Sequence, residues 1–80
     1  DWQDVRRADV LLANLYDYGG SRPMVGTPME LAWAWEAHKP VVAFAASPLM
    51  VAHPFIRECV AHYCADLDEA IDLLVRHYLK

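Results

Sequence analysis

The sequence contains little glycine, few cysteines and no long apolar run. All three glycines lie between residues 19 and 26, without the Gly-Lys-Ser/Thr of a phosphate-binding P-loop. Two cysteines, Cys59 and Cys64, are too few for a disulfide framework, so we expect two buried or half-buried free thiols in a cytoplasmic protein. The longest apolar run, from Pro40 to Ala46, is far shorter than the roughly 20 residues that span a bilayer, so no membrane partner is expected.

Positive charge is also scarce. Seven Lys and Arg stand against eleven Asp and Glu, for a net charge of −4, and only Arg6 and Arg7 are adjacent. Binding to a nucleic-acid polymer needs a basic patch, so that partner is not expected. The four histidines lack metal-ligand spacing, and neither a metal nor another cofactor is predicted. What the chain does have is a 56% apolar composition, which indicates one heavily buried domain of marginal size.

The order of predicted elements indicates an α/β fold. Two short apolar runs without alternation, 9–15 and 40–45, predict strands covered on both faces, and residues 61–64 predict a weaker third strand. Helices are predicted over 1–8, 27–38, 55–60 and 67–79, with connections at 16–26 and 47–53. We therefore expect one domain over residues 1–80 with a three-layer, flavodoxin- or Rossmann-like parallel sheet, right-handed crossovers and flanking helices.

Two helix starts carry capping-box patterns. Thr27 is predicted as an N-cap, with Pro28 at the first helical position and Glu30 at the third. Asp66 and Glu69 repeat the pattern before the last helix. In that helix the apolar spacing predicts a single buried stripe, formed by Leu67, Ala70, Ile71, Leu74 and Tyr78.

The predicted topology also locates a ligand site. Ligands of parallel sheets bind outside the carboxyl ends of the strands, and the loop at 16–26 and the connection at 47–53 both fall at this edge. Glu30 lies in the first turn of the helix that follows the first of these two segments. Asn14 ends the first strand at this edge and either binds a sugar hydroxyl or satisfies loop amides. Tyr16 either stacks on a base or packs against the protein. From its spacing alone, Glu30 is favoured as a capping residue.

Three segments together point to a known family. They are ADVLLANL at residues 8–15, GTPMELAWA at 26–34 and KPVV at 39–42. This combination, which covers about residues 1–46, resembles the nucleoside 2-deoxyribosyltransferase superfamily, including the related 2′-deoxynucleoside 5′-monophosphate N-glycosidases. The resemblance implies N-glycosyl transfer or hydrolysis on a small nucleoside or nucleotide substrate, without a cofactor, by a homo-oligomer.

The resemblance also implies roles for individual residues. Glu30 would be the nucleophile that attacks C1′ of the deoxyribose, and Asp1 the acid/base that handles the proton of the leaving base. Substrate binding would fall to Asn14, Tyr16, Gly26 and Thr27. One position departs from the family pattern, because Met24 stands where transferases often have an aspartate that helps to bind the base.

Two further expectations remain open beside this enzymatic one. The domain is alternatively a non-catalytic nucleotide or nucleotide-sugar binding module, or a remnant of the fold that is stable only in an oligomer. The family's first strand and its Gly-rich loop do not precede Asp1, so we expect the strand at 9–15 to have an unpaired edge. This favours a C-terminal piece of a longer protein over an edge covered by another chain.

Overall fold

A parallel sheet of three strands organises the protein. The structure is a computed structural model that describes residues 2–16 and 26–79. Its elements are α1 (Trp2–Arg7), β1 (Leu11–Asn14), α2 (Gly26–Glu36), β2 (Val41–Phe44), α3 (Pro48–Ala52), α4 (Pro54–Cys59), β3 (His62–Cys64) and α5 (Leu67–His77). The strands lie in the order β1-β2-β3 and all pairs are parallel, which confirms the predicted α/β arrangement.

Strand β1 is an edge of this sheet and pairs only with β2 among the described residues. The Leu11 N–H donates to the Pro40 carbonyl at 2.9 Å, and the Leu15 N–H donates to the Phe44 carbonyl at 3.0 Å. Because backbone groups of alternate residues point to opposite sides of a strand, those of Leu12 point to the outer edge. This agrees with the unpaired edge that the sequence predicts.

Helices cover the two faces of the sheet unequally. The larger core lies on the face that carries Ala13 and Ala43, packed by α1, α2 and α4. Its buried members are Val5, Ala13, Leu15, Leu31, Ala34, Val41, Ala43, Ile56, Cys59 and Val60. The opposite face carries a smaller core of Val42, Cys64 and Ala70, where α5 packs on β2 and β3.

The start of α2 corrects the first capping prediction. The helix begins at Gly26, so Thr27 lies inside it and is not the N-cap. Glu30 consequently occupies the fifth helical position, in the second turn, and no hydrogen bond joins it to Thr27 in the described part of the chain. The preceding residues, 17–25, lie outside the description, so the capping residue is not identified.

The end of α2 comes two residues before the predicted one. The Lys39 N–H donates to the Ala34 carbonyl at 2.8 Å and the His38 N–H donates to the Trp35 carbonyl at 3.1 Å. These two bonds form a Schellman motif, in which the residue after the C-cap takes a left-handed conformation. His38 takes that place, with φ of 59°. The motif, rather than Pro40 alone, ends the helix.

The segment predicted as a connection at 47–53 contains a helix, α3, which is a second correction. Ser47 is its N-cap and accepts a hydrogen bond from the Met50 N–H at 3.3 Å. The predicted helix start at His53-Pro54 is confirmed, because Nδ1 of His53 accepts from the Phe55 N–H at 3.1 Å. In both cases a side-chain acceptor precedes a proline at the first helical position.

Helix α5 confirms one prediction and contradicts another. Oδ1 of Asp66 accepts from the Glu69 N–H at 2.9 Å, as a capping box requires. The Glu69 carboxylate in turn accepts from the Ala65 N–H at 3.2 Å. The predicted buried stripe is wrong for Leu67 and Ile71, which are 44% and 45% exposed. Since α5 packs mainly on β2 and β3, its contact is centred on the fully buried Ala70 and leaves this side of the helix uncovered.

Candidate functional site

A cavity of about 210 Å³ lies between α2 and the outer edge of β1. Its described lining residues are Leu11, Leu12, Ala13, Asn14, Thr27 and Glu30. All four residues of β1 take part because the cavity runs along the strand edge, from its carboxyl end toward its amino end. The first turns of α2 form the other wall, so two segments that are distant in the sequence meet here.

Glu30 supplies the charge in this cavity. Its side chain is half-buried, and it is the only ionisable group among the described lining residues. No hydrogen bond or ion pair engages its carboxylate within the described ranges. The structure therefore does not show Glu30 in the capping role that its spacing favours. Within the described part of the chain this carboxylate has no protein partner, so it is available to a ligand.

Asn14 enters the cavity from the carboxyl end of β1. Its Oδ1 accepts a hydrogen bond from the Tyr16 N–H at 3.0 Å. Of the two roles considered for this side chain, the structure thus shows the satisfaction of a loop amide. The Nδ2 group has two donors and is the part of Asn14 suited to a ligand oxygen.

The other predicted site residues are placed differently. Thr27 lines the cavity with Glu30, whereas Gly26 forms the first residue of α2. Tyr16 is 52% exposed and is not among the described lining residues. Asp1, the predicted acid/base, lies outside the described residues, as does Met24.

A second and wider cavity lies beyond the carboxyl end of β2, at the predicted ligand edge where the connection 47–53 falls, although its lining residues were not predicted. Its volume is about 570 Å³ and its described lining consists of Ala46, Pro48, Val51, Ala52 and Arg57. The lining is apolar apart from the Arg57 guanidinium. The turn at Ser47-Pro48 is the signal that places these residues at the ligand edge of the sheet.

The two cysteines are buried and unpaired, as predicted. Burial raises the pKa of the Cys59 thiol, and the nearby Glu58 carboxylate raises it further. Burial likewise raises the pKa of Cys64, with a smaller contribution from Glu69. Because the thiolate is the nucleophilic form, neither cysteine is suited to covalent catalysis at neutral pH.

No group of three or more His, Cys, Asp or Glu side chains is arranged to hold a metal ion within residues 2–16 and 26–79. Over the same ranges, every helix is too short or too polar to cross a membrane. Comparison with protein-family models, with curated proteins and with solved structures finds no match to this chain.

Proposed function

We propose that this domain catalyses N-glycosyl transfer or hydrolysis on a 2-deoxynucleoside or its 5′-monophosphate, with Glu30 as the nucleophile. The observation that carries the proposal is the placement of Glu30 in the cavity beside Asn14 and Thr27. The sequence motifs that surround these three residues resemble those of nucleoside 2-deoxyribosyltransferases. The sequence motifs and the lining of the cavity thus both support a role for Glu30 in the reaction.

The reaction would proceed in two displacements at the anomeric carbon. In the first, an Oε atom of Glu30 bonds to C1′ while the C1′–N bond breaks, and the base leaves with the bonding electrons and takes up a proton. In the second, an acceptor base or a water attacks C1′, loses its proton and releases the Glu30 carboxylate. The resemblance assigns the proton transfers to Asp1, as in retaining glycoside hydrolysis.

The neighbours of Glu30 suit this chemistry. The Asn14 amide and the Thr27 hydroxyl supply hydrogen-bond donors on the cavity wall, which suit the hydroxyl groups of a sugar. Leu11, Leu12 and Ala13 add apolar residues to the lining along the edge of β1. The proposed enzyme is an oligomer, as the resemblance implies. It would bind a small nucleoside or nucleotide rather than a nucleic-acid polymer, in keeping with the net charge of −4.

A direct assay tests the proposal. The native protein is incubated with 2′-deoxynucleosides and their 5′-monophosphates, with and without a free acceptor base, and products are separated by chromatography. Exchanged nucleoside indicates transfer and free base indicates hydrolysis.

Glu30→Gln is expected to lower turnover by at least about a hundredfold, since it removes the nucleophile. Glu36→Gln, on the exposed end of the same helix, is the matched control and should retain activity. Absence of turnover in the wild type, or equal turnover in Glu30→Gln, would refute the proposal.

A second candidate function is a binding module for a nucleotide or a nucleotide-sugar. The observation that favours it is the set of carboxylate, amide and hydroxyl groups that Glu30, Asn14 and Thr27 bring to the described lining, because these groups suit the hydroxyl groups of a nucleotide without any reaction. Calorimetric titration with deoxynucleoside monophosphates separates the two candidates. Binding that depends on Asn14 and Thr27, without any turnover, would favour the module.

A further inference from the structure

A third cavity, of about 420 Å³, lies between the carboxyl ends of α2 and α4. Pro40, on its wall, directly precedes β2, so the cavity lies at the amino edge of the sheet. The Glu30 cavity lies instead along β1 and the first turns of α2, and the two described linings have no residue in common. We call this separate space the Trp35 cavity, and its described lining residues are Trp35, His38, Lys39, Pro40, Glu58 and Cys59.

The Trp35 cavity brings together one lysine and one glutamate that do not pair with each other. Lys39 is half-buried and Glu58 is exposed. The Glu58 carboxylate lies near enough to the buried Cys59 thiol to raise its pKa, which places this charge at the wall of the cavity. Neither the Lys39 ammonium nor the Glu58 carboxylate forms an ion pair or a hydrogen bond within residues 2–16 and 26–79. Both charges are therefore available to a ligand.

Local structure accounts for the position of Lys39 but not for that of Glu58. Lys39 directly follows His38, the left-handed residue that ends α2, and a cation there interacts favourably with the carbonyl end of the helix. Glu58 lies in the last turn of α4, where a carboxylate meets the unpaired carbonyls of that helix end and is not stabilised by them. A positively charged group of a ligand would interact favourably with Glu58 and with these carbonyls.

An aromatic side chain provides the apolar part of the lining. Trp35 is 53% exposed near the end of α2, and Pro40 adds a half-buried ring. An indole offers a large apolar surface on which another aromatic ring packs well. The volume of about 420 Å³ falls within the range of about 300–1,000 Å³ that is typical of small-molecule sites. The cavity is thus large enough for one small molecule with an apolar group.

We infer that the Trp35 cavity binds a free amino acid with a large apolar side chain. The ammonium group of the ligand pairs with Glu58, its carboxylate pairs with Lys39, and its side chain lies on the Trp35 indole. Charge-assisted hydrogen bonds of this kind are roughly twice as strong as neutral ones. Because the lining offers one partner for each charge, it favours a zwitterion over an acid or an amine of similar size. Nucleosides lack this pair of charges, so the inference does not rest on the proposed function.

Titration of the isotope-labelled native protein, followed by NMR, tests the inference with three matched ligands. L-Phenylalanine carries both charges, phenylpropionate lacks the ammonium group and phenylethylamine lacks the carboxylate. L-Phenylalanine is expected to bind at least about tenfold more tightly than either analogue, since each analogue loses one charge-assisted interaction. The amide signals of Lys39 and Glu58 should shift on binding, whereas those of Asn14 and Glu30 should not.

Two variants test the assigned partners of the ligand charges. Glu58→Gln is expected to weaken phenylalanine binding by about tenfold and to leave phenylpropionate binding unchanged, because only phenylalanine has the ammonium group. Lys39→Met is expected to weaken phenylalanine binding by about tenfold and to leave phenylethylamine binding unchanged. Glu36→Gln, at the exposed end of α2 and outside the described lining, is the matched control and should retain full affinity. Circular dichroism confirms that the three variants are folded.

Three results would overturn the inference. The first is an absence of shifts at Lys39 and Glu58 with L-phenylalanine at millimolar concentration. The second is equal affinity for the three ligands, which would indicate only an apolar contact with Trp35. The third is phenylalanine binding that Glu58→Gln leaves unchanged. The Glu30→Gln variant should bind phenylalanine as the wild type does, so a failure of the proposed catalytic function is distinguishable from a failure of this inference.

Discussion

Glu30 on α2 and Asn14 at the end of β1 line the same cavity, although residues 15–29 separate them along the chain. Asn14 is held by its hydrogen bond to the Tyr16 N–H, whereas the Glu30 carboxylate has no partner within the described residues. One side chain is thus fixed by the protein and the other is available to a ligand. This difference leads to the first prediction.

A covalent intermediate is expected on Glu30 if the proposed double displacement takes place. Rapid acid quenching of the enzyme with a 2′-deoxynucleoside should yield protein whose mass has increased by one deoxyribosyl group. Peptide mapping should locate that group on the peptide that contains Glu30. The Glu30→Gln variant should show no adduct, and Glu36→Gln should show the wild-type amount. An adduct on any other residue would contradict the assignment of the nucleophile.

The two predicted caps should differ in their contribution to stability. Asp66→Ala removes the acceptor of the Glu69 N–H and is expected to lower the free energy of unfolding by about 1 kcal/mol. Thr27→Ala removes no cap, since α2 begins at Gly26, and is expected to lie within about 0.5 kcal/mol of wild type. Urea denaturation of the two variants measures both values. A cost for Thr27→Ala equal to that of Asp66→Ala would show that Thr27 is the N-cap and that α2 begins two residues later, at Pro28.

Two residues with left-handed backbone conformations should tolerate glycine better than the native side chain. His38 ends α2 and Ala45 follows β2, each with φ of 59°. A non-glycine residue in this conformation costs roughly 1–2 kcal/mol, which exceeds the entropic cost of glycine. We expect His38→Gly and Ala45→Gly each to raise the free energy of unfolding by about 0.5–1 kcal/mol. Ala32→Gly, inside α2, is the control and should lower it by a similar amount.

Alkaline pH should destabilise the fold through its buried thiols. Burial raises the pKa of Cys59, Cys64 and Tyr63 in the folded protein, so the folded state retains these protons after the unfolded state has lost them. Their contribution is therefore complete below the unfolded cysteine pKa of about 8.5 and is lost as the pH rises through the folded values. Urea denaturation at several pH values above about 8 measures the decline.

The double variant Cys59→Ala/Cys64→Ala separates the thiols from Tyr63. Its stability should fall less steeply with rising pH than that of the wild type, because only the tyrosine then remains to titrate. An unchanged slope would show that the thiols do not contribute. A thiol-reactive dye provides a second measurement, since both cysteines should react slowly near neutral pH and rapidly once urea unfolds the chain.

Much of the architecture was predictable because local signals determine it. The apolar runs at β1 and β2 indicated two strands of a parallel sheet, and residues 61–64 indicated the third. The predicted cover on both faces is confirmed for β2 but wrong for β1, where Leu12 and Asn14 are exposed because α5 packs on β2 and β3.

Asp66 and His53 marked two helix starts, since an N-cap acceptor acts on amides only two or three residues away. The short helix α3 was missed because Ser47-Pro48 was interpreted as the end of a strand, although the same pair also begins a helix.

The sequence by itself determined the order of elements, the burial of the central strand β2 and the candidate carboxylate. Only the tertiary structure decided which residues surround Glu30, because a cavity forms between elements and no local pattern describes it. Only the tertiary structure decided which apolar side chains of α5 are covered. Helical spacing places Ile71 beside Ala70 on one apolar surface, but a three-stranded sheet is too narrow to cover all of it. How much of a helix is buried depends on the width of the sheet against which it packs. That width is set by pairing between strands that are distant from the helix in the sequence.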